Sequence, residues 1–546
     1  MTSPTYMTQT RSKNAVPEQV DVAIVGAGIG GLTCGAYLAG AGYRVACFDG
    51  HYVAGGCATQ FERGPAGARY AFDVGLHYVG DCGGQGTIPT LLRGLHKDLA
   101  WNELDPDGFD TLIFPDLEFR IPANRELYRE RLVALFPEDR KGIDRYMRFL
   151  LDVQEVTLGM ERSEGKLTAS GWLRILLHHR SLIRNHTRTL AEVLDSCTQD
   201  ERLRAVLAGQ HGDYALPPSR ASAMLHAGLC NHYLRGAYYP RGGGQMIANE
   251  VALAIEESGG SIHLRRAIRQ ILMVRGRAAG VVAEDAAGSR HEVRAKAVVS
   301  NADLKSTVLG LLGPEHRPRK WVTRVTGMEM PYGIFLTCLG IEGGLGTDAR
   351  NANYWAFDSH DTESLYQHCG SVKDFQPHGI YVTSATLKDP DTSGHAPKGV
   401  HNVQVMTFAP GDSEYWGITP ADLEDGSYRR DVFYNREKDR IEQNLIDRMD
   451  TLFPGSAARV VYRESATPLS QSRFTRSTGG TGYGIAATVD QFLSKRPGYR
   501  SPVESLYLCG ASTRAGHGVA GAMTSGYLAA RVIAKDLGRA VPDAYG

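Results

Sequence analysis

The sequence predicts an α/β protein in which a doubly wound domain carries an inserted α+β domain built on a mixed or antiparallel sheet. Three observations predict it. Residues 20–49 (VDVAIVGAGIGGLTCGAYLAGAGYRVACFD) read as strand, Gly turn, helix and strand. Residues 506–537 read as a further short apolar strand, a Gly turn and a small-residue helix. Residues 321–402 carry alternating runs dense in aromatics (MPYGIFLTCLGIE, NYWAFD, GIYVTSATL, NVQVMTFAP), the pattern of a large sheet.

Bulk composition narrows the class. A chain of 546 residues is long enough for two to four domains and a sizeable core. Its 60 basic and 60 acidic residues give no reason to expect a nucleic-acid partner. The 9 Cys show no CxxC pair, and an odd number in a large chain reads as reduced thiols in a cytosolic protein. Residues 1–17 are polar and lack an apolar centre, which argues for a flexible arm rather than a signal peptide. No run of 18 apolar residues occurs, so no membrane span is expected.

In the first unit, each part of Gly26-Ala27-Gly28-Ile29-Gly30-Gly31 has a mechanical job. Gly26 permits the tight turn, Gly28 lets backbone approach a pyrophosphate, and Gly31 lets helix and strand pack closely. The helix N-terminus offers unpaired N–H groups to phosphate. Asp49, closing the second strand, stands where a carboxylate accepts from a ribose diol. Strand, turn, helix and acid together predict a dinucleotide site, against the plain alternative of an α/β unit with a Gly-rich turn and no ligand.

After Asp49 come Gly55-Gly56-Cys57-Ala58-Thr59 and then Phe72-Asp73-Val74-Gly75-Leu76-His77-Tyr78. This wording resembles the flavin signature of the two-dinucleotide-fold flavoproteins, which include amine oxidases and phytoene desaturases. GGCATQFE followed by YAFDVGLHYVG is most similar to the retinol saturases and carotenoid isomerases, relatives of bacterial phytoene desaturase. The resemblance implies FAD. An acid after the second strand of an NAD enzyme looks the same, so the resemblance decides the cofactor and the spacing does not. It also implies that Gly26, Gly28, Ile29, Gly30, Gly31, Asp49, Gly55, Gly56, Cys57 and Ala58 hold the cofactor.

The remaining elements follow in order. Residues 80–99 are Gly-rich and then helical, DTLIFPDLEFRIP reads as a hairpin, and 125–156 is amphipathic and helical with a helix start at Phe136-Pro137-Glu138. Residues 166–190 are basic, carry no acid, and place Trp172, Ile175, Leu176 and Ile183 on one side of a helix. Such a helix either lies on an anionic membrane surface or serves as a lid or packing element. YYPRGGGQ turns into a helix, and residues 262–299 continue a sheet into Ser300-Asn301-Ala302-Asp303. The resemblance makes this its second FAD segment, with Ala267 and Ile268 holding the adenine; read alone, Ile268 is core. Residues 440–452 form a helix that ends at Phe453-Pro454-Gly455. The third segment runs from Leu506 through Gly510 and Ala511 to Gly518, Val519 and Ala520. Many relatives carry Gly-Asp where this chain has Gly510-Ala511, so a backbone contact must serve there.

No G-x-S-x-G, H-E-x-x-H or Cys/His metal cluster is present, and Gly479-Gly480-Thr481-Gly482-Tyr483-Gly484 follows no strand that would make a second nucleotide fingerprint. Redox chemistry on the flavin needs no protein nucleophile. By the resemblance, His77, Tyr78 and His517 lie nearest the flavin ring as catalytic candidates, against the alternative of histidines satisfied by backbone. The FAD domain is expected at 18–90, 237–310 and 470–540, and the substrate domain at 91–236 and 311–469. The expected activity is FAD-dependent oxidoreduction or isomerisation at C=C bonds of an apolar, conjugated small molecule. Electrons would pass to or from a quinone, oxygen or NAD(P)H, and membrane contact would be peripheral. A flavin-free prenyl-binding protein of the GDP-dissociation inhibitor type and a flavin amine oxidase are the competing readings.

Overall fold

The computed structural model describes residues 11, 13–65, 67–162, 175, 177–367 and 371–545. Gln19–Val25 is buried from its second residue onward, because both faces of its sheet are covered. Val22 and Ile24 join one apolar cluster with helices Ile29–Gly40 and Gly518–Asp536. Ala23 and Val25 join another with Leu304, Trp321 and Val325. The sheet runs in the order Ser261–His263, Val45–Phe48, Gln19–Val25, Arg290–Ser300, Arg277–Glu284, Ala267–Val274, with Leu506–Leu508 also paired to Arg290–Ser300. Gln19–Val25 pairs in parallel with both neighbours, while Ala267–Val274, Arg277–Glu284 and the start of Arg290–Ser300 form an antiparallel extension.

A second sheet of seven strands runs Val460–Ala466, Gly333–Glu342, Val400–Ala409, Gly379–Thr383, Asn353–Phe357, Asp110–Phe114, Leu117–Ile121. All its pairings are antiparallel except that of Asn353–Phe357 with Asp110–Phe114. Trp321 stands on helix Arg319–Thr326, so the aromatic runs enter the sheet only at Gly333. Alternate residues point to opposite sides. Phe335, Leu339, Ile341, Val403 and Val405 pack with Ile441, Leu445 and Met449 of helix Val432–Leu452. The other side carries Leu336, Trp355, Tyr381, Met406 and Phe408.

Two expectations change. The arm is anchored where it is described: buried Arg11 pairs with Glu256 at 2.8 Å, and Asn14 donates to the Ile262 carbonyl at 3.0 Å. Residues 1–10 and 12 lie outside the described residues. Residues 163–174 and 176 also lie outside them, and the described end is the short helix Arg180–Asn185 rather than one helix running to Leu190. Thr189 starts a separate helix, Leu190–Cys197, because its hydroxyl and Glu192 make a reciprocal cap. Among the described residues, no helix is long and apolar enough to cross a membrane, and eight cysteines are free thiols.

Candidate active site

A cavity of about 2110 Å³ is lined by residues of both large sheets. Single-ligand pockets span about 300–1,000 Å³, so this one has room for two bound molecules at once. Every site residue named from the sequence lines it except Gly31. A Cβ at Gly31 would overlap the Gly26 carbonyl, so this glycine serves helix–strand packing and does not reach the cavity.

The phosphate turn is held by its neighbours in space. Ile29 N–H donates to the Gly55 carbonyl at 3.2 Å, and Gly55 N–H donates to Ala27 at 2.8 Å, zipping the first two glycine runs together. Gly55 has φ +131° and Gly26 φ +91°, conformations that side chains resist. Helix Ile29–Gly40 has no side-chain cap on Gly28 and no acid in its first turn, which leaves the Gly30 amide, next after Ile29, to a ligand. Asp49 accepts from the amides of Ala27 and His51, both at 2.8 Å, with lone pairs to spare for a diol. Asn301 is the residue the sequence reading passed over. Its amide N–H bonds the Val25 carbonyl at 2.8 Å, and its side chain fills the hollow that the glycines leave. A Cβ at Gly28 would stand 2.7 Å from Asn301 Nδ2, and one at Gly30 would stand 2.7 Å from Asn301 Oδ1.

The far end is open. Helix Gly518–Asp536 begins uncapped, and a Cβ on Gly518 would meet nothing within 4 Å, so its N-terminus faces empty space. Arg496 is 1% exposed and donates to the carbonyls of Ile485 and Ala511, both at 2.9 Å, while its Nε and Nη1 have no partner among the described residues. Burial lowers its pKa to about 10, so it stays charged at neutral pH beside the third glycine segment. Its bond also takes up the Ala511 carbonyl. Ile268 occupies a strand position that both packs in the core and lines the cavity, so its two readings describe one place. Two uncapped helix ends, an acceptor carboxylate and glycine-floored approach fit an elongated dinucleotide.

Beyond that cradle the wall is apolar, made by Leu336, Trp355, Phe357, Tyr381, Met406 and Phe408. Within it sits a polar network that the sequence reading missed. Tyr78 Oη lies 2.9 Å from Asp110 Oδ2 and 2.8 Å from Asp213 Oδ2. Asp110 is fully buried and also accepts from Gln210 Nε2 at 2.8 Å and Asn353 Nδ2 at 3.0 Å. Burial, opposed by those donors, raises Asp110 to about 6. Burial and then the charge of Asp110 raise Asp213 to about 8. Lys388, 1% exposed, donates to the His77 carbonyl and to Thr383 Oγ1, and burial lowers its pKa to about 7. The only signals in the sequence were an acid opening an apolar strand (FDTLIF) and an acid in a tight turn (HGDY).

The two histidines line the cavity as neutral rings. Burial, and then Lys388, push His77 to about 3. Burial, and then Arg496, push His517 to about 3, against the Asp213 carbonyl that its Nε2 meets at 3.2 Å. His517 Nδ1 has no partner among the described residues, and its ring stacks on Tyr483 at 5.4 Å. Neither ring is poised to give up a proton near neutral pH.

Comparison with known proteins agrees with this geometry. Residues 24–95 match the family "NAD(P)-binding Rossmann-like domain", and residues 426–534 match "Flavin containing amine oxidoreductase". The chain is 28% identical over 540 residues to all-trans-retinol 13,14-reductase of Danio rerio, covering 95% of this chain and 86% of that one. It is 24% identical over 531 residues to chloroplastic prolycopene isomerase 1 of an Oncidium hybrid cultivar, covering 95% and 85%. Along nearly its whole length the chain is thus similar to proteins named for retinol reduction and prolycopene isomerisation. An oxidoreductase structure from Methanosarcina mazei superposes with a TM-score of 0.58 at 17% identity, covering 93% of this chain and 99% of that one, which shows the shared fold. The cofactor of this flavoprotein is FAD, and the cradle from Asp49 to Gly518 is where its residues fit it.

Proposed function

We propose that this flavoprotein acts on C=C bonds of an apolar, conjugated substrate of the retinoid or carotenoid class, as a saturase, desaturase or cis–trans isomerase. The single observation that carries this is the cavity: one space continues from the dinucleotide cradle onto the aromatic face of the second sheet. That face offers Trp355, Phe357, Met406 and Phe408 to an extended apolar chain. FAD, when bound, supplies a two-electron hydride acceptor or donor. The chain's own residues bind and orient. Asp49 and the glycine turn seat the nucleotide, the sheet excludes water from the polyene, and His517 Nδ1 offers an acceptor at the ring end. The relatives named for retinol reduction and prolycopene isomerisation support the substrate class.

In this reading, residues 18–90, 237–310 and 470–540 form the FAD unit, and 91–236 and 311–469 the substrate unit. A quinone, oxygen or NAD(P)H exchanges electrons with it. Delivery of a poorly soluble substrate from a membrane surface belongs to the same proposal. Intact phosphate-turn geometry speaks against a flavin-free prenyl carrier. The test is the absorption spectrum of the purified protein, followed by anaerobic mixing with all-trans-retinol and with a cis-carotene. A flavin spectrum and a change in the polyene absorbance are expected. A folded, colourless protein that cannot be loaded with FAD overturns the reading.

A further inference from the structure

Tyr78 makes two oxygen–oxygen contacts of hydrogen-bond length, to Asp110 and to Asp213, yet a phenol carries one hydrogen. Two contacts need two hydrogens. One of the carboxyls must therefore be protonated and donate to Tyr78 Oη. The surrounding donors decide which. Asp110 receives N–H groups from Gln210 and Asn353, and its side chain is sealed from the cavity. The orientation of Asn353 is fixed by Lys388, which donates to Thr383 Oγ1; Thr383 then donates to Asn353 Oδ1 at 2.8 Å, leaving Asn353 Nδ2 for Asp110. Lys388 is thus linked through Thr383 and Asn353 to Asp110, which carries the negative charge. Asp213 meets the phenols of Tyr78 and Tyr233, which lower it less than burial and Asp110 raise it, and it lines the cavity.

Resting on the functional reading above, we propose that Asp213 is the acid that delivers a proton to a carbon of the bound conjugated substrate and takes it back. In that step the Asp213 O–H bond breaks and a C–H bond forms with the electron pair of one C=C bond. The neighbouring carbon is left electron-deficient within the conjugated system. The Asp213–Tyr78–Asp110 assembly gains one negative charge, balancing the electron-deficient carbon, and the Tyr78 hydroxyl can turn its hydrogen toward the new carboxylate. In reverse the carboxylate removes the same proton, so the one residue serves reduction, desaturation and bond rotation.

The position is built. Asp213 lies in the short turn His211–Tyr214, which ends at Ala215 in a left-handed conformation. Its carbonyl meets His517 Nε2 at 3.2 Å, and the Gly212 carbonyl accepts from Tyr483 Oη at 3.3 Å. Both partners belong to the C-terminal part of the chain that carries the third glycine segment, so the acid is fixed to the cofactor cradle. The titratable groups facing it are Asp110, Tyr78, Tyr233, Tyr381 and Tyr483, and their phenols are all pushed above their ordinary range by burial. Burial and Asp110 hold Asp213 at about 8, in agreement with the proton count.

Two measurements test this. The first is the infrared difference at neutral pH between wild type and Asp213→Asn, with Tyr78→Phe as a second variant. A protonated-carboxyl band present in wild type and lost in Asp213→Asn is expected; its absence overturns the proposal. The second incubates the FAD-loaded protein with all-trans-retinol or a cis-carotene in D2O and reads deuterium entering the polyene by mass spectrometry. Asp213→Asn is expected to slow incorporation about 10²–10⁴-fold at unchanged FAD occupancy, the range for a positioned general acid. Incorporation at the wild-type rate in that variant overturns the proposal alone. A band present with no incorporation in FAD-loaded wild type overturns the functional reading, and this proposal with it.

Discussion

Glycine placement around Asn301 explains more of the phosphate turn than pyrophosphate approach does. A Cβ at Gly28 meets Asn301 Nδ2 before any cofactor arrives. Gly28→Ala is therefore expected to destabilise even the FAD-free protein, by about 1–3 kcal/mol as for other overpacked sites. Asn301→Ala in the same chain is expected to relieve part of that loss. Thermal unfolding of the apo-proteins checks both. Asp49→Ala is expected to weaken FAD binding by about 1.5–3 kcal/mol, the range for a hydrogen bond to a charged group, read by fluorescence titration. The raised carboxyls make a pH prediction. Asp213 at about 8 and Asp110 at about 6 lie above the ordinary 3.8, so the folded chain holds protons that the unfolded chain releases. That contribution is complete below about pH 4 and is lost as pH rises through about 8. Asp389 has the opposite sign: burial raises it, but bonds from His395 and the Gly242 amide outweigh burial and hold it at about 2. Between pH 5 and 9 the melting temperature of wild type is expected to fall more than that of Asp213→Asn, which cannot titrate.

The second sheet divides its labour by strand periodicity. Met406 and Phe408 face the cavity, while Val403 and Val405 face helix Val432–Leu452. Ile441→Ala on that helix removes fully buried methyls and is expected to cost about 2–5 kcal/mol of stability, leaving polyene affinity unchanged. Phe408→Ala is expected to do the reverse: it enlarges the cavity, weakens or re-orders substrate binding, and costs less stability because one side of the ring already borders open space. Denaturant unfolding and spectral titration of the two variants separate the cases. The alternation was visible in the sequence, but which face met the cavity was not, since both faces carry large apolar residues.

At the scale of the molecule, the cradle is assembled from three distant parts of the chain, and polar straps tie it to the second sheet. Gln404 of that sheet donates to the Asp73 carbonyl at 2.8 Å, while the Asp73 carboxyl accepts from the Gly244 amide at 3.0 Å and Asp389 accepts from the Gly242 amide at 2.7 Å. The Gly-rich turn before helix Gln245–Glu257 is thereby fixed to two acids. FAD bridging the segments is expected to stabilise the whole fold by mass action, by about 2.7 kcal/mol when free FAD exceeds its Kd a hundredfold. A melting temperature that rises with FAD concentration checks this. Equal melting temperatures with and without FAD would mean that the cradle is not where it binds.

The sequence by itself determined the strand–turn–helix units and the kind of ligand they take, because those rest on local rules: glycine conformational freedom, apolar periodicity and the position of one acid. Gly26, Gly28 and Asp49 were legible for that reason, while Gly55 and Gly518 were named through the resemblance. The resemblance also pointed to His77, Tyr78 and His517, which line the cavity, though not to their neutral charge states or the partners of Tyr78. Tertiary structure alone decided those, because charge depends on burial and on neighbours distant in the chain. Asp110 and Asp213 are separated by a helical insertion and carry no motif, Arg496 sits in a segment with no signature of its own, and Asn301 lies in the second glycine-turn segment with nothing local to mark its side chain. Only folding brings two carboxyls to one phenol, and only that meeting determines where a proton must reside.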